Sequence, residues 1–388
     1  MILGKKMSKS KFLFGLGYAI LFVALFLEDM AFNFDTSLWA RGLKLLSACV
    51  VLFGSISKTW KKQFFKEFML GILIGIVILM CTGDFFFLIV ILLGFNSSKI
   101  NDETIFSLAF YCCLIMLLIT LVMYGGGVLP DRLSYRTDFS FEARHSFGFV
   151  HSSALPLAIF YMFTYYVAKN KEKTKLFIVM CFTIGEIIIY QFCKSRNAVI
   201  GTCLIAFLLL IIKNNLIGIR MNKIFRIISR WIAVICAGFS FIPGLFRYKG
   251  IFMPIWYAFD VIFTNRSLLT ASAIQGYGIH LINTMSYSEY SSVGVTVDSY
   301  VHNGLVLDSA YTYILIRYGI LIFLFFYIML LSFYKKEKEN VYMCIIYIVI
   351  VLINITDNDM LSYGCLPFLL IGIKNIWNKR TKRRKLKI

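Results

Sequence analysis

Charge is what this chain has least of. Only 15% of its 388 residues are Asp, Glu, Lys or Arg while 59% are hydrophobic, and mean hydropathy is +0.78, far too apolar for a soluble globular domain. Acid is scarcest, with 20 acidic residues against 40 basic. No nucleotide-binding glycine loop, Asp-x-Asp pair, His-x-x-x-His zinc pair or Ser-centred nucleophile elbow occurs. Nucleotide-dependent and metal-dependent chemistry lose ground, and no cofactor is expected. The ten cysteines include no Cys-x-x-Cys, and the one adjacent pair, Cys112 and Cys113, is not easily joined on a helix. They read as small apolar packing residues. Without an internal repeat, a low-complexity tract or a linker, residues 1–388 are expected to form a single transmembrane domain.

What the chain does have is apolar runs, recurring about every 30 residues. The better ones approach the roughly 20 residues that cross a bilayer core as a helix. Expected spans are 12–31, 38–57, 66–82, 84–97, 104–127, 149–168, 175–193, 197–213, 230–246, 308–334, 340–356 and 359–377. The basic N-terminus resembles a signal peptide, but Leu27, Glu28 and Asp29 follow its apolar run instead of a small-residue cleavage site. A retained first helix is expected.

The doubtful stretch, Phe68 to Gly94, is either one long helix or a hairpin turning at Gly83 and Asp84. Only the hairpin keeps Lys169, Lys171, Lys173 and Lys175 on the cytoplasmic side, as the positive-inside rule requires. With it, the inner segments carry 29 basic and 6 acidic residues and the remainder 11 and 14. The net charge of +20 is then a topology signal, with a basic tail, Lys379 to Lys387, suited to anionic lipid. Nucleic acid is not needed as a partner, and both termini are expected in the cytoplasm. One long extracytoplasmic loop spans 247–307, its start, Ile251 to Phe263, aromatic enough to lie in the interface.

Arginine departs from this pattern. Three of the 26 lysines but 8 of the 14 arginines fall outside the inner segments, together with all four histidines. The planar guanidinium fork suits phosphate and pyrophosphate, so an anion site facing away from the cytoplasm is expected. Arg144, His145 and His151 lead into the sixth span, whose N-terminal amides favour an anion. Arg132 and Arg136, among Asp131, Asp138 and Glu142, read as loop salt-bridge residues. Lys194-Ser195-Arg196-Asn197 forms a tight turn in which Ser195 can cap the next helix. Asn265-Arg266 and Gln275-Gly276-Tyr277-Gly278 lie in the long loop, the glycines allowing a tight turn. Tyr300-Val-His302-Asn303 and Asp308-Ser-Ala-Tyr311 enter the tenth span. His302 can act as a general base, with Asp308 orienting it or acting alone. Arg317 lies about 13 Å into that span at helical rise. Glu186, similarly deep in the seventh, is its expected structural partner.

At these clusters the chain resembles the Wzy-type polysaccharide polymerases of the wider O-antigen ligase and polymerase superfamily. Arg144 to Ala158 is similar to that family's Arg, Gly-Phe and His/Asn entry, and Ser195-Arg196 with Ala198 and Gly201 to its Ser-Arg turn. Asn265-Arg266 with Gly276-Tyr-Gly278 looks like its long-loop signatures. Asp308-Ser-Ala-Tyr311 through Arg317-Tyr-Gly319 looks like its entry to the following span. The resemblance implies a bacterial cytoplasmic-membrane glycosyltransferase that makes capsule, exopolysaccharide or O-antigen. It would join undecaprenyl-pyrophosphate-linked repeat units without metal, alongside flippase and chain-length regulator proteins. It further implies Arg144, Arg196 and Arg266 on pyrophosphate and His302, then Asp308, as base, with His145, His151, Tyr311, Arg317 and Glu186 in support. A ligase passing finished glycan to another acceptor, and a flippase or other transporter, are the competing readings.

Overall fold

The computed structural model describes residues 9–56, 62–135, 142–214, 219–246, 254, 266–283, 309–357 and 361–385. They form an all-α bundle. In chain order the helices are α1 (Lys9–Glu28), α2 (Ser37–Ile56), α3 (Lys62–Thr82), α4 (Phe86–Asn96), α5 (Asp102–Gly125), α6 (Ala154–Asn170), α7 (Leu176–Cys193), α8 (Arg196–Lys213) and α9 (Ile219–Phe246). After these come α10 (Arg266–Tyr277), α11 (Ala310–Tyr318), α12 (Ile320–Glu337), α13 (Val341–Ile353) and α14 (Leu366–Lys385). A two-residue antiparallel ladder, β1 (Ser134–Tyr135) with β2 (Ala143–Arg144), lies between α5 and α6.

Six of these helices are long and apolar enough to cross a membrane, and four more are shorter apolar helices. Their surfaces agree with a lipid setting. Met80 is 82%, Phe177 76% and Val122 74% exposed, on α3, α7 and α5, and water would not stabilise so much outward apolar surface. By contrast all eleven residues of α4 are buried, and α13 is buried along nearly its whole length. These two form the centre. α4 packs on α2, α3 and α14, and α13 packs on α8 and α9. Small residues permit the closest approaches: Gly372 of α14 lies directly on the Met329 backbone of α12, where any Cβ would collide.

The hairpin expected between Phe68 and Gly94 is present. α3 stops at Thr82, Gly83 turns at φ +68°, and the Asp84 Oδ1 accepts the Phe86 N–H at 2.9 Å to start α4. All ten cysteines are free thiols.

One end of the bundle is held by lysine-acid pairs. Asp102 of α5 takes both Lys336 of α12 and Lys374 of α14, the latter at 2.8 Å, and Lys171 approaches Glu337 at 3.7 Å. The candidate site lies at the far end of α12, about 27 Å away at 1.5 Å per residue.

The expected tenth span is interrupted. α11 ends at Tyr318 and α12 begins at Ile320, with Gly319 between them at φ +89° and ψ 175°. Broken backbone in an apolar bundle needs partners for its freed polar groups, and residues 280–283 supply them. Ile320 and Leu321 N–H donate to the His280 and Leu281 carbonyls at 3.0 and 3.1 Å, and the Asn283 N–H donates to the Tyr318 carbonyl at 3.3 Å. Part of the expected long loop is therefore ordered: α10 packs on α9 and α11, and Gly278 turns the chain at φ +71° into this bridge. Ile251 to Phe263, apart from residue 254, lies outside the described residues.

Candidate functional site

Two polar groupings meet at this end. The first is a corner built on the loop before α6. Asp131 is its hub: Oδ1 accepts the Ser146 and Phe147 N–H groups at 2.8 and 3.1 Å, and Oδ2 lies 2.6 Å from the His145 Nδ1. Burial raises the Asp131 pKa, but the hydrogen bonds from His145, Ser146 and Phe147 outweigh it and hold the carboxyl below the usual range. An ionised carboxylate only accepts, so His145 carries its proton on Nδ1 and leaves Nε2 as the ring's second nitrogen.

The same loop runs along the end of α7. The His145 N–H donates to the Phe192 carbonyl at 3.1 Å, the Arg144 Nε to the Cys193 carbonyl at 3.2 Å, and Lys194 pairs with Glu142 at 3.5 Å. Lys194 turns the chain in the left-handed region, φ +53°, and α8 starts at Arg196. Arg144 and Arg196 therefore share one corner. Arg196 is exposed and makes no hydrogen bond or ion pair among the described residues. Ser195 occupies the N-cap position, but its side chain makes no capping bond, contrary to expectation. Asn197 instead reaches across to Asp357, 2.8 Å away, beyond the end of α13.

The second grouping is a cavity of about 120 Å³ lined by Glu28, Asp29, Lys44, Asp84, Tyr313, Arg317, Tyr318 and Ser362, with Leu25, Phe86 and Leu361 as apolar wall. Five separate segments contribute. Lys44 of α2 holds the Glu28 carboxylate through both oxygens, at 2.8 and 3.0 Å. The Tyr318 hydroxyl donates to the Asp84 Oδ2 at 2.8 Å. Arg317 donates to the Tyr313 hydroxyl and lies 5.2 and 5.1 Å from the Tyr313 and Tyr318 ring centroids, held between two π faces. Lys44 is 6% and Arg317 4% exposed.

The corner and the cavity adjoin through backbone. The Ala31 N–H donates to the Gly148 carbonyl at 2.9 Å, the Val150 N–H to the Asp29 carbonyl at 2.8 Å, and the Arg132 guanidinium to the Phe32 carbonyl at 3.2 Å. Arg132 is thus a loop tie through a carbonyl instead of the expected carboxylate.

The expected Glu186–Arg317 pair does not form. Both Glu186 oxygens are fully buried with no hydrogen-bond partner among the described residues, on a helix packed against α6 and α8. Arg317 faces the cavity instead, because α11 packs on α9, α10 and α12 while α7 packs on α6 and α8. Tyr311 is structural: fully buried, it donates to the Val351 carbonyl at 3.1 Å. His151 is exposed in the turn before α6, its carbonyl accepting the Ala154 N–H. Arg266 is the first residue of α10, but its side chain lies outside the described residues, as do His302, Asp308 and Arg136.

Sequence reasoning missed Glu28, Asp29, Lys44, Asp84, Tyr313, Tyr318 and Ser362 as site residues. The signal was present in Lys44, a lone lysine well inside an apolar run, and in the acids closing the first run. The fold and the site define an all-α, membrane-embedded protein with a charged cavity and an arginine corner at one end. Comparison with protein-family models, curated proteins and solved structures finds no match to this chain.

Proposed function

We propose that this chain is a polysaccharide polymerase that joins undecaprenyl-pyrophosphate-linked repeat units on the outer face of a bacterial cytoplasmic membrane. In this reading it crosses the membrane twelve times, with both termini in the cytoplasm and the lysine-paired end facing inward. The observation that carries it is the meeting of Arg144 and Arg196 at one corner, adjoining a cavity lined by acidic, basic and tyrosine side chains at the same end of the bundle.

The acceptor hydroxyl attacks the donor's anomeric carbon, the bond from that carbon to the phosphate oxygen breaks, and undecaprenyl pyrophosphate leaves with the electron pair. The hydroxyl proton passes to a base. Such a leaving group needs no proton of its own, so catalysis reduces to stabilising its charge and activating one hydroxyl. Arg196 is set for the first task, exposed at the first residue of a helix whose N-cap residue, Ser195, makes no side-chain capping bond. Arg144 flanks it and Arg266 is the third candidate. His302 and Asp308 remain the candidate bases.

Purified protein given purified lipid-linked repeats, without nucleotide sugar or metal, is expected to produce a ladder of longer lipid-linked glycans. No elongation would overturn the reading. A deletion strain is expected to retain one-repeat carrier lipid, whereas long unattached polymer would mark a ligase. Transport is the reading favoured by one observation, the helix broken beside Arg317; it predicts sidedness-dependent movement of lipid-linked glycan in vesicles with no change in its length.

A further inference from the structure

The cavity between α1, α2, α4 and α11 holds charges of both signs, and its balance decides what fits. Three carboxylates, Glu28, Asp29 and Asp84, face two cations, Lys44 and Arg317. A phosphate would meet three carboxyl groups there. A hydroxyl, by contrast, donates once and accepts twice, and so suits carboxylates and cations side by side. Most of the charged groups are already engaged: Glu28 with Lys44, Asp84 with Tyr318, Arg317 with Tyr313. Asp29 is not, since its carboxylate makes no hydrogen bond or ion pair among the described residues although it lines the cavity. An acceptor with nothing to accept, beside tyrosine rings in a cavity of about 120 Å³, suits the hydroxyl-bearing edge of a sugar ring.

We propose that this cavity is a monosaccharide subsite, in which Asp29 accepts a hydrogen bond from a hydroxyl of one sugar ring of the lipid-linked glycan. The proposal rests on the polymerase reading and adds where the glycan is held: a hydroxyl-bearing edge of the sugar ring enters the cavity and the pyrophosphate lies at the arginine corner. The Asp29 carbonyl takes the Val150 N–H, so the subsite adjoins the loop that carries Arg144. The broken helix has a role here, since Gly319 sets the end of α11, with Arg317 and Tyr318, against the turn at Asp84.

The test uses the water-soluble oligosaccharide released by mild acid from the lipid-linked repeats of the same cells, with full-length protein in detergent. Binding is followed by saturation-transfer NMR, and elongation of intact lipid-linked repeats is measured in parallel. Asp29→Asn keeps the side-chain size and removes no hydrogen bond seen among the described residues, so the protein is expected to fold. It is expected to weaken oligosaccharide binding about tenfold and raise KM for the lipid-linked acceptor, with Asp29→Glu restoring part of both. Arg196→Ala is expected to leave oligosaccharide binding unchanged and lower kcat. Unchanged binding and KM in Asp29→Asn, with normal elongation by the unaltered protein, overturns the subsite and leaves the polymerase reading intact. Asp29-dependent binding without elongation supports the subsite and overturns the polymerase; neither binding nor elongation overturns both.

Discussion

Replacing Gly319 with alanine tests the broken helix most directly. Its backbone, φ +89° and ψ 175°, falls in a region that only glycine populates, and forcing another residue there costs about 1 to 3 kcal/mol. A Cβ would also lie 2.8 Å from the Leu281 carbonyl oxygen and the Ile282 Cα, and 2.9 Å from the His280 carbonyl oxygen. These are backbone atoms that cannot swing aside. The bridge would have to withdraw, weakening the Ile320–His280 and Leu321–Leu281 hydrogen bonds, each worth about 0.5 to 1.5 kcal/mol. Together the change should cost about 2 to 6 kcal/mol, and it should displace Arg317 and Tyr318 from the cavity. Thermal unfolding in detergent, read beside glycan elongation, is expected to show a lower midpoint and little activity. Gly276→Ala is the control: nothing lies within 4 Å of a Cβ there, and its helical position should gain about 0.5 to 1 kcal/mol. If Gly319→Ala unfolds and elongates like Gly276→Ala, the break has no structural role.

Other outcomes follow from the same contacts. Glu186→Leu should keep or raise stability, by about 1 to 3 kcal/mol, because it removes two buried oxygens that have no partner; clear destabilisation in a melting assay would mean the carboxyl is held after all. Arg196→Ala should leave the melting curve unchanged yet lower the elongation rate by the equivalent of about 2 to 4 kcal/mol in the transition state; normal yield and chain length would remove it from the pyrophosphate site. The Asp131 pKa is depressed in the folded loop, so its contribution is fully present above the unfolded value of about 3.9 and is lost as pH falls through the folded value. Hydrogen-exchange protection in residues 142–150, relative to the intrinsic rate at each pH, should therefore fall below about pH 4. In Asp131→Asn protection should be low already at neutral pH, and an acid response that survives that substitution would point to another group.

Sequence and structure divide along the range of the interactions involved. Composition determined the membrane setting and the helical class, because hydropathy and helical length are properties of short windows. The hairpin at Gly83 and Asp84 was also legible, through the side on which lysines fall. Arg144 and Arg196 could be singled out as residue types at helix entries, but their sharing of a corner depended on Arg144 reaching the Cys193 carbonyl across 49 positions. The cavity as an assembly was not legible, although Lys44 and the acids closing the first run marked single members of it. Glu28, Lys44, Asp84 and Arg317 each look locally like a span end, a stray charge or a turn. Packing of α1, α2, α4 and α11, and a glycine that lets residues 280–283 cross the break, set them around one space. Glu186 shows the reverse: a pairing inferred from equal depth failed because depth along a helix does not fix its facing or its neighbours. The sequence by itself determined what kind of residue lies at which depth, and only the tertiary structure decided which of them meet, since direction and contact depend on helix packing and on one broken turn.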